Sequence, residues 1–161
     1  MRKLDYEKLA GNIQNWIKNY IDSNNLKGIV VGISGGIDSA VTAGISVKAV
    51  GKENVIGVGL PCESNPEDYR DAKLVTESLG IKLYIIELTS IYREIAKVLP
   101  GEIKITKMAL ANMKPRLRMI ALYNIAQSLG FLVAGTGNRT ELAIGYFTKY
   151  GDIGIINEFL H

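Results

Sequence analysis

Ile29-Val30-Val31-Gly32-Ile33-Ser34-Gly35-Gly36-Ile37-Asp38-Ser39-Ala40 decides how the chain is read. Ile29-Val30-Val31 is a short apolar, β-branched run and predicts a buried strand. Ala40 to Val47 predicts a helix. Glycines and hydroxyls therefore fall at a strand-to-helix turn. Adjacent glycines let backbone N–H groups approach a ligand. Ser34 and Ser39 add hydroxyls, and the helix N-terminus behind them favours an anion. That chemistry suits phosphate or pyrophosphate. Asp38 lies among these donors, and a carboxylate beside phosphates is repulsive unless a divalent cation lies between. Asp38 therefore predicts Mg²⁺. The plain alternative is a glycine turn in which Asp38 caps the helix. No Gly-Lys-Ser/Thr follows, so this is not a Walker A loop, and it lacks Gly-x-Gly-x-x-Gly.

Outward from this turn, strand and helix patterns alternate. Asp5 to Asn25 predicts an amphipathic helix with Leu9, Ile13, Trp16, Ile17 and Tyr20 on one face and Trp16 in the core. Val55 to Leu60 predicts a second strand, ended by Pro61. Pro66 starts a helix that runs to Leu79, and Gly80 closes it. Lys82 to Glu87 predicts a third strand. Thr89 is placed to cap the next helix, to about Leu99. Ile105 to Leu129 is helical in pattern, with Pro115 expected to break or restart it. Phe131-Leu132-Val133-Ala134 predicts a fourth strand, followed by the glycine turn Gly135-Thr136-Gly137. The alternation predicts an α/β fold with a doubly wound parallel sheet and helices on both faces. Ligands bind such sheets beyond the carboxyl ends of the strands. That geometry puts Asp38, the Pro61 loop and Glu141 on one rim.

Composition narrows the class. The chain has 161 residues, 47% hydrophobic and 22% charged, which is ordinary for one globular domain. A net charge of +3 is too mild to argue for nucleic acid. No run is long enough to span a membrane, and no apolar block follows the N-terminus, so a cytoplasmic location is expected. The single Cys62 excludes an internal disulfide and a cysteine-rich zinc site, and no histidine stands ready to activate it. His161 is the only histidine.

The second informative block is Gly135-Thr136-Gly137-Asn138-Arg139-Thr140-Glu141, continuing to Gly145-Tyr146-Phe147-Thr148-Lys149-Tyr150-Gly151-Asp152. Small residues admit a ligand to the backbone, and Thr136 offers a hydroxyl. Glu141 offers a second hard oxygen ligand, which with Asp38 and phosphate oxygens makes an Mg²⁺ site. Lys149 can balance phosphate charge.

Ser-Gly-Gly-x-Asp-Ser resembles the pyrophosphate loop of the ATP pyrophosphatases, which adenylate a substrate oxygen. By itself the loop leaves NAD, GMP and asparagine synthetases and tRNA-thiolating enzymes open. The Gly135–Asp152 block resembles the signature of ammonia-dependent NAD synthetases far more specifically. Leu60-Pro61 with Ser64-Asn65-Pro66-Glu67-Asp68, and Asn112-Met113-Lys114-Pro115-Arg116-Leu117-Arg118-Met119, are similar to further segments of that family.

The resemblance implies an adenine nucleotide alpha-hydrolase-like fold. It also implies a ligase that joins ammonia to deamido-NAD through an adenylated intermediate, giving NAD, AMP and pyrophosphate. Gly32, Ile33, Ser34, Gly35, Gly36, Ile37, Asp38, Ser39 and Thr136 would contact ATP. Asp38 and Glu141 would hold Mg²⁺, and Arg116 and Lys149 would contact deamido-NAD, in a homodimer. Arg118 is expected in structural ion pairs and Cys62 as a loop or core thiol. Two departures stand out: Pro115 replaces an alanine, and Ile156 replaces the family's second acid. The chain is expected to be a single domain lacking the family's C-terminal segment, so an ATP-binding but catalytically weak relative is a second expectation. A tRNA-thiolating enzyme is a third, weakened by the lack of a cysteine pair.

Overall fold

The computed structural model describes residues 5–151, apart from the side chains of Pro66 and Asp68. β1 (Gly28–Gly32) lies inside a four-stranded parallel sheet of order β3-β2-β1-β4. Its neighbours are β2 (Val55–Gly59) and β4 (Phe131–Ala134), and β3 (Lys82–Ile85) pairs with the far side of β2. Ile29 is flanked by Val55 on one side and Leu132 on the other. Val30 and Val31 are fully buried because both faces of the sheet are covered.

Alternation sends side chains into two cores. Val30, Val58 and Val133 point to the layer of α4 (Thr89–Val98) and α5 (Lys107–Leu129), where they meet Tyr92, Leu117, Met119, Leu122 and Ala126. Ile29, Val31, Val55 and Ala134 point to the layer of α1 (Tyr6–Ser23), α2 (Ile37–Val50) and α3 (Pro66–Leu79). α2 and α3 carry the chain outward from β1 through β2 to β3. α4 and α5 return it on the opposite face to β4. The chain therefore reverses direction between β1 and β4, and their carboxyl ends open the crevice where such sheets bind ligands. No helix among the described residues is long and apolar enough to cross a membrane.

Four local expectations are corrected. α2 starts at Ile37, three residues before the expected Ala40, so Ile37, Asp38 and Ser39 form its first turn. At the start of α4 the cap position is Leu88, not Thr89. Glu87 Oε1 accepts the Thr89 N–H (3.0 Å), and the Thr89 hydroxyl oxygen instead accepts the Glu63 N–H (2.8 Å). Pro115 lies inside an unbroken α5. A mid-helix proline costs about 3 kcal/mol, but Leu117, Met119, Leu122 and Ala126 beyond it are buried. Each larger side chain among them contributes about 1.5–3 kcal/mol on full burial, enough together to offset that cost and keep the helix continuous. Trp16 is 37% exposed rather than core, and packs on Tyr20 with ring centroids 5.9 Å apart. α1 turns Ile17 and Ile21 inward, leaving the stripe of Leu9, Ile13 and Trp16 half-exposed.

Gly28 opens β1 where no side chain fits. A Cβ there would strike the Asn54 carbonyl oxygen and come within 2.7 Å of the Phe131 ring. Gly28→Ala should therefore destabilise the domain by about 1–3 kcal/mol. Gly101→Ala, where a Cβ meets nothing within 4 Å, should change stability by less than about 0.5 kcal/mol. Urea midpoints of the two variants, compared with the parent, check this.

Candidate functional site at the carboxyl edge of the sheet

The glycine loop is tied to itself. The Ile33 N–H donates to the Val58 carbonyl (2.9 Å), extending the sheet by one residue, so the loop proper starts at Ser34. Gly35 takes φ 85°, which glycine adopts without strain. The Ser34 and Ser39 hydroxyl oxygens are 3.2 Å apart, and the Gly36 N–H donates to Ser34 Oγ (3.2 Å). Ser39 is buried and its hydroxyl donates to the Gly36 carbonyl (2.8 Å). Ser39 thus braces the loop from inside, whereas Ser34 is exposed. No side chain caps α2, and its first amides, at Ile37, Asp38 and Ser39, precede the first intrahelical bond, from Ala40 to Gly36. Asp38 is exposed on that turn, so it does not cap the helix.

A cavity of about 350 Å³ opens at this edge. Gly32, Ile33 and Ser34 line it at the end of β1, Leu60 and Pro61 just beyond β2, and Ala134 and Thr136 at and just beyond the end of β4. Ser64, Asn65 and Tyr69 close it from the start of α3, and Pro115, Arg118 and Met119 from α5. Asp38, Glu141, Arg116 and Lys149 do not line it.

Glu141 lies in the first turn of α6 (Arg139–Ile144), in a reciprocal cap with Asn138. The Asn138 N–H donates to Glu141 Oε2 (3.0 Å), and the Glu141 N–H donates to Asn138 Oδ1 (3.0 Å). Beyond α6, the turn of residues 146–151 rests on α5. Arg116 Nε donates to the Lys149 carbonyl (3.1 Å), and Thr148 Oγ1 donates to Asn112 Oδ1 (3.2 Å). These bonds bring Arg116 and Lys149 together, both exposed. Asp152 and Ile156, and His161, lie outside the described residues.

Arg118 corrects another expectation. No described side chain pairs with it as an ion. Its Nε donates to the Leu60 carbonyl (3.0 Å), linking α5 to the end of β2. Cys62 is buried in the core, as expected of a loop or core thiol. Burial raises its thiol pKa, and the nearby Arg118 and Lys114 only partly oppose this.

The same order of elements and motifs is matched by a known family. The NAD synthase family model covers residues 9–157. The chain belongs to the NAD synthase family. Among curated relatives, an NH3-dependent NAD+ synthetase of Carboxydothermus hydrogenoformans is 45% identical over 157 residues, 95% of this chain and 63% of that protein. One of Finegoldia magna is 46% identical over 94% of this chain and 61% of its own length. The chain thus spans somewhat over half the length of the relatives it matches. Among solved structures, the Campylobacter jejuni NH3-dependent NAD synthetase, in complex with nitrate ion, superposes with TM-score 0.87 at 34% identity, covering 94% of this chain and 65% of that one. A glutamine-dependent NAD+ synthetase from Acinetobacter baumannii, in complex with ADP, gives 0.88 at 30% identity, covering 94% and 29%. A Francisella tularensis NMN synthetase gives 0.85 at 32% identity, covering 93% and 62%. The resemblance seen in the sequence, and the adenine nucleotide alpha-hydrolase-like fold it implied, are therefore correct.

The sequence did not reveal how the domain fixes its Pro61 loop. Glu63, at φ 52°, pairs with Lys114 on α5 (3.0 Å) and Arg93 on α4 (3.2 Å). The Lys114 ammonium also lies 5.0 Å from the centre of the Tyr92 ring. These partners are 30 to 51 positions away, so no local pattern shows them. Hydrogen bonds from Lys114, then Arg93, hold the Glu63 carboxyl below its ordinary pKa, and hydrogen bonds from Thr89 do the same for Glu87. A depressed carboxyl stabilises the fold above its unfolded pKa, near 4.5, and that contribution is lost as pH falls through the lower folded value. Stability should therefore fall as pH drops below about 4.5. Glu63→Gln should be less stable at neutral pH and show a shallower acid slope, measured by denaturant midpoints from pH 7 to 3.

Proposed function

We propose that this domain takes part in ATP-dependent amidation of deamido-NAD by ammonia, with release of pyrophosphate and AMP. The observation that carries the reading is one cavity lined by Ser34 of the glycine loop and Thr136 beyond β4, at the crevice between β1 and β4. Residues 1–161 form one ATP pyrophosphatase-type domain in this reading. Gly32 to Ser39 and Thr136 bind ATP, chiefly through the first amides of α2, the Ser34 hydroxyl and the Thr136 hydroxyl. Ser39 acts by holding the loop's shape, and Ile33, with a buried side chain and a bonded N–H, by setting its start. Arg116 and Lys149 bind deamido-NAD, and the protein works as a homodimer.

The donor set fits a magnesium ion. Asp38 and Glu141 are hard oxygen donors in the first turns of α2 and α6, the helices that follow β1 and β4, and phosphate oxygens would complete the shell. No cluster of three or more metal-ligating side chains exists among the described residues, so the ion would depend on the nucleotide. When bound, Mg²⁺ neutralises charge on the departing pyrophosphate. Asp38 and Glu141 would hold it, at the cost of loosening the Glu141 cap if Oε2 is used.

The chain's own contribution is placement. The nicotinate carboxylate attacks the α-phosphorus of ATP, and ammonia then displaces AMP. Neither step needs a protein nucleophile, and the buried thiol of Cys62, raised above its ordinary pKa, is poorly suited to be one. Loop amides aimed at the phosphates favour the transition state without reorganising, which suits a loop already braced by Ser39. The same thiol argues against a thiolating enzyme. The neighbour named as an NMN synthetase supports a second substrate, the deamido mononucleotide, used through the same chemistry.

Pyrophosphate release by the purified chain, with ATP, Mg²⁺ and ammonia, should rise when deamido-NAD is added. A rise with the deamido mononucleotide instead would favour the second substrate, and a rise with neither would overturn the reading. Asp38→Asn should lower turnover at least about 100-fold while circular dichroism stays that of the parent. Turnover equal to the parent's would remove Asp38 from the metal site.

A further inference from the structure

Arg118 has a place in the site that its motif alone did not give it. The cavity wall is largely apolar, with Val58, Leu60, Ile85, Met119 and Leu122 among its residues. Arg118 is the one charged side chain described on that wall. It is half-buried, and no described carboxylate lies within ion-pair distance. A guanidinium has five N–H donors, and the only bond described for Arg118 uses one, from Nε to the Leu60 carbonyl at 3.0 Å. That bond anchors the group at Nε. A partly desolvated cation without a counter-ion favours an anion in the space it faces. The same cavity is lined by Gly32 to Ser34, where the glycine loop begins.

We propose that Arg118 is a phosphate-binding residue of the ATP site, facing the polyphosphate from α5 while the glycine loop holds it from β1. The assignment rests on the reading that this cavity takes ATP. The Leu60 bond gives a positioned fork, which binds phosphate oxygens bidentately and which lysine does not reproduce. The charge acts on its surroundings, since it favours the thiolate form of Cys62 against the larger effect of burial. The competing role is a strut: Arg118 would hold Leu60 in place and shape the cavity without touching the ligand.

Adenosine separates the two, because it has the base and ribose of ATP but no phosphate. ATP affinity is measured by isothermal titration calorimetry, and adenosine affinity by saturation-transfer NMR, for the parent, Arg118→Lys and Arg118→Met. A phosphate contact predicts ATP binding weakened about ten-fold or more in Arg118→Met and less in Arg118→Lys, with adenosine affinity within about two-fold of the parent. Equal weakening of ATP and adenosine would show a strut and overturn the proposal, as would unchanged ATP affinity. If Arg118→Met fails to fold, Arg118→Lys carries the same comparison. A parent chain that binds neither ligand would overturn the nucleotide reading itself, and the assignment with it.

Discussion

The pairing of β1 on both edges is the constraint on which the rest depends. Ile29 is matched to Val55 and to Leu132, and the chain cannot make both matches without reversing direction between β1 and β4. That reversal puts two loops side by side with helices on opposite faces. The site needs no further device to gather its parts. Residues near Ser34 and residues near Thr136, about a hundred positions apart, line one cavity because their strands are neighbours.

Most of this frame was legible because it rests on short-range signals. The four strands are apolar runs bounded by turn residues, and β4 has the expected limits. Gly80 and Gly130 close helices in the left-handed conformation, as glycines placed after helical runs should. The misreadings share a cause, which is competition settled by distant packing. Pro115 is a breaker by local rules, yet α5 continues through it, with a buried face beyond. Trp16 belongs to an apolar stripe, yet α1 carries two adjoining stripes and the neighbouring layer takes only the one with Ile17 and Ile21. Thr89 is a good cap by type, but its hydroxyl is drawn to the Glu63 amide across the loop.

For the site, the motifs pointed to the right loops but could not apportion work within them. Ser34 and Ser39 look alike in sequence, and burial makes one an inner brace and leaves the other at the surface. Arg116 and Arg118 are two positions apart on a helix, so they point in different directions. The first reaches the Lys149 carbonyl, and the second the Leu60 carbonyl and the cavity. Glu63 carried no signal, since its partners Arg93 and Lys114 come from other elements.

The braced glycine loop has a consequence for how affinity and stability are linked. Fixing one backbone residue costs about 1–2 kcal/mol of conformational entropy. A slack loop would impose that cost at the moment of binding. Here the hydrogen bonds among Ser34, Gly36 and Ser39 bring the loop to one shape during folding, so the ligand meets an ordered cradle. The ordering is charged to the native state, and binding is spared it. Selection acting on this loop for tighter binding and selection for a stable domain therefore pull on the same hydroxyls. A change that slackens the brace weakens both at once.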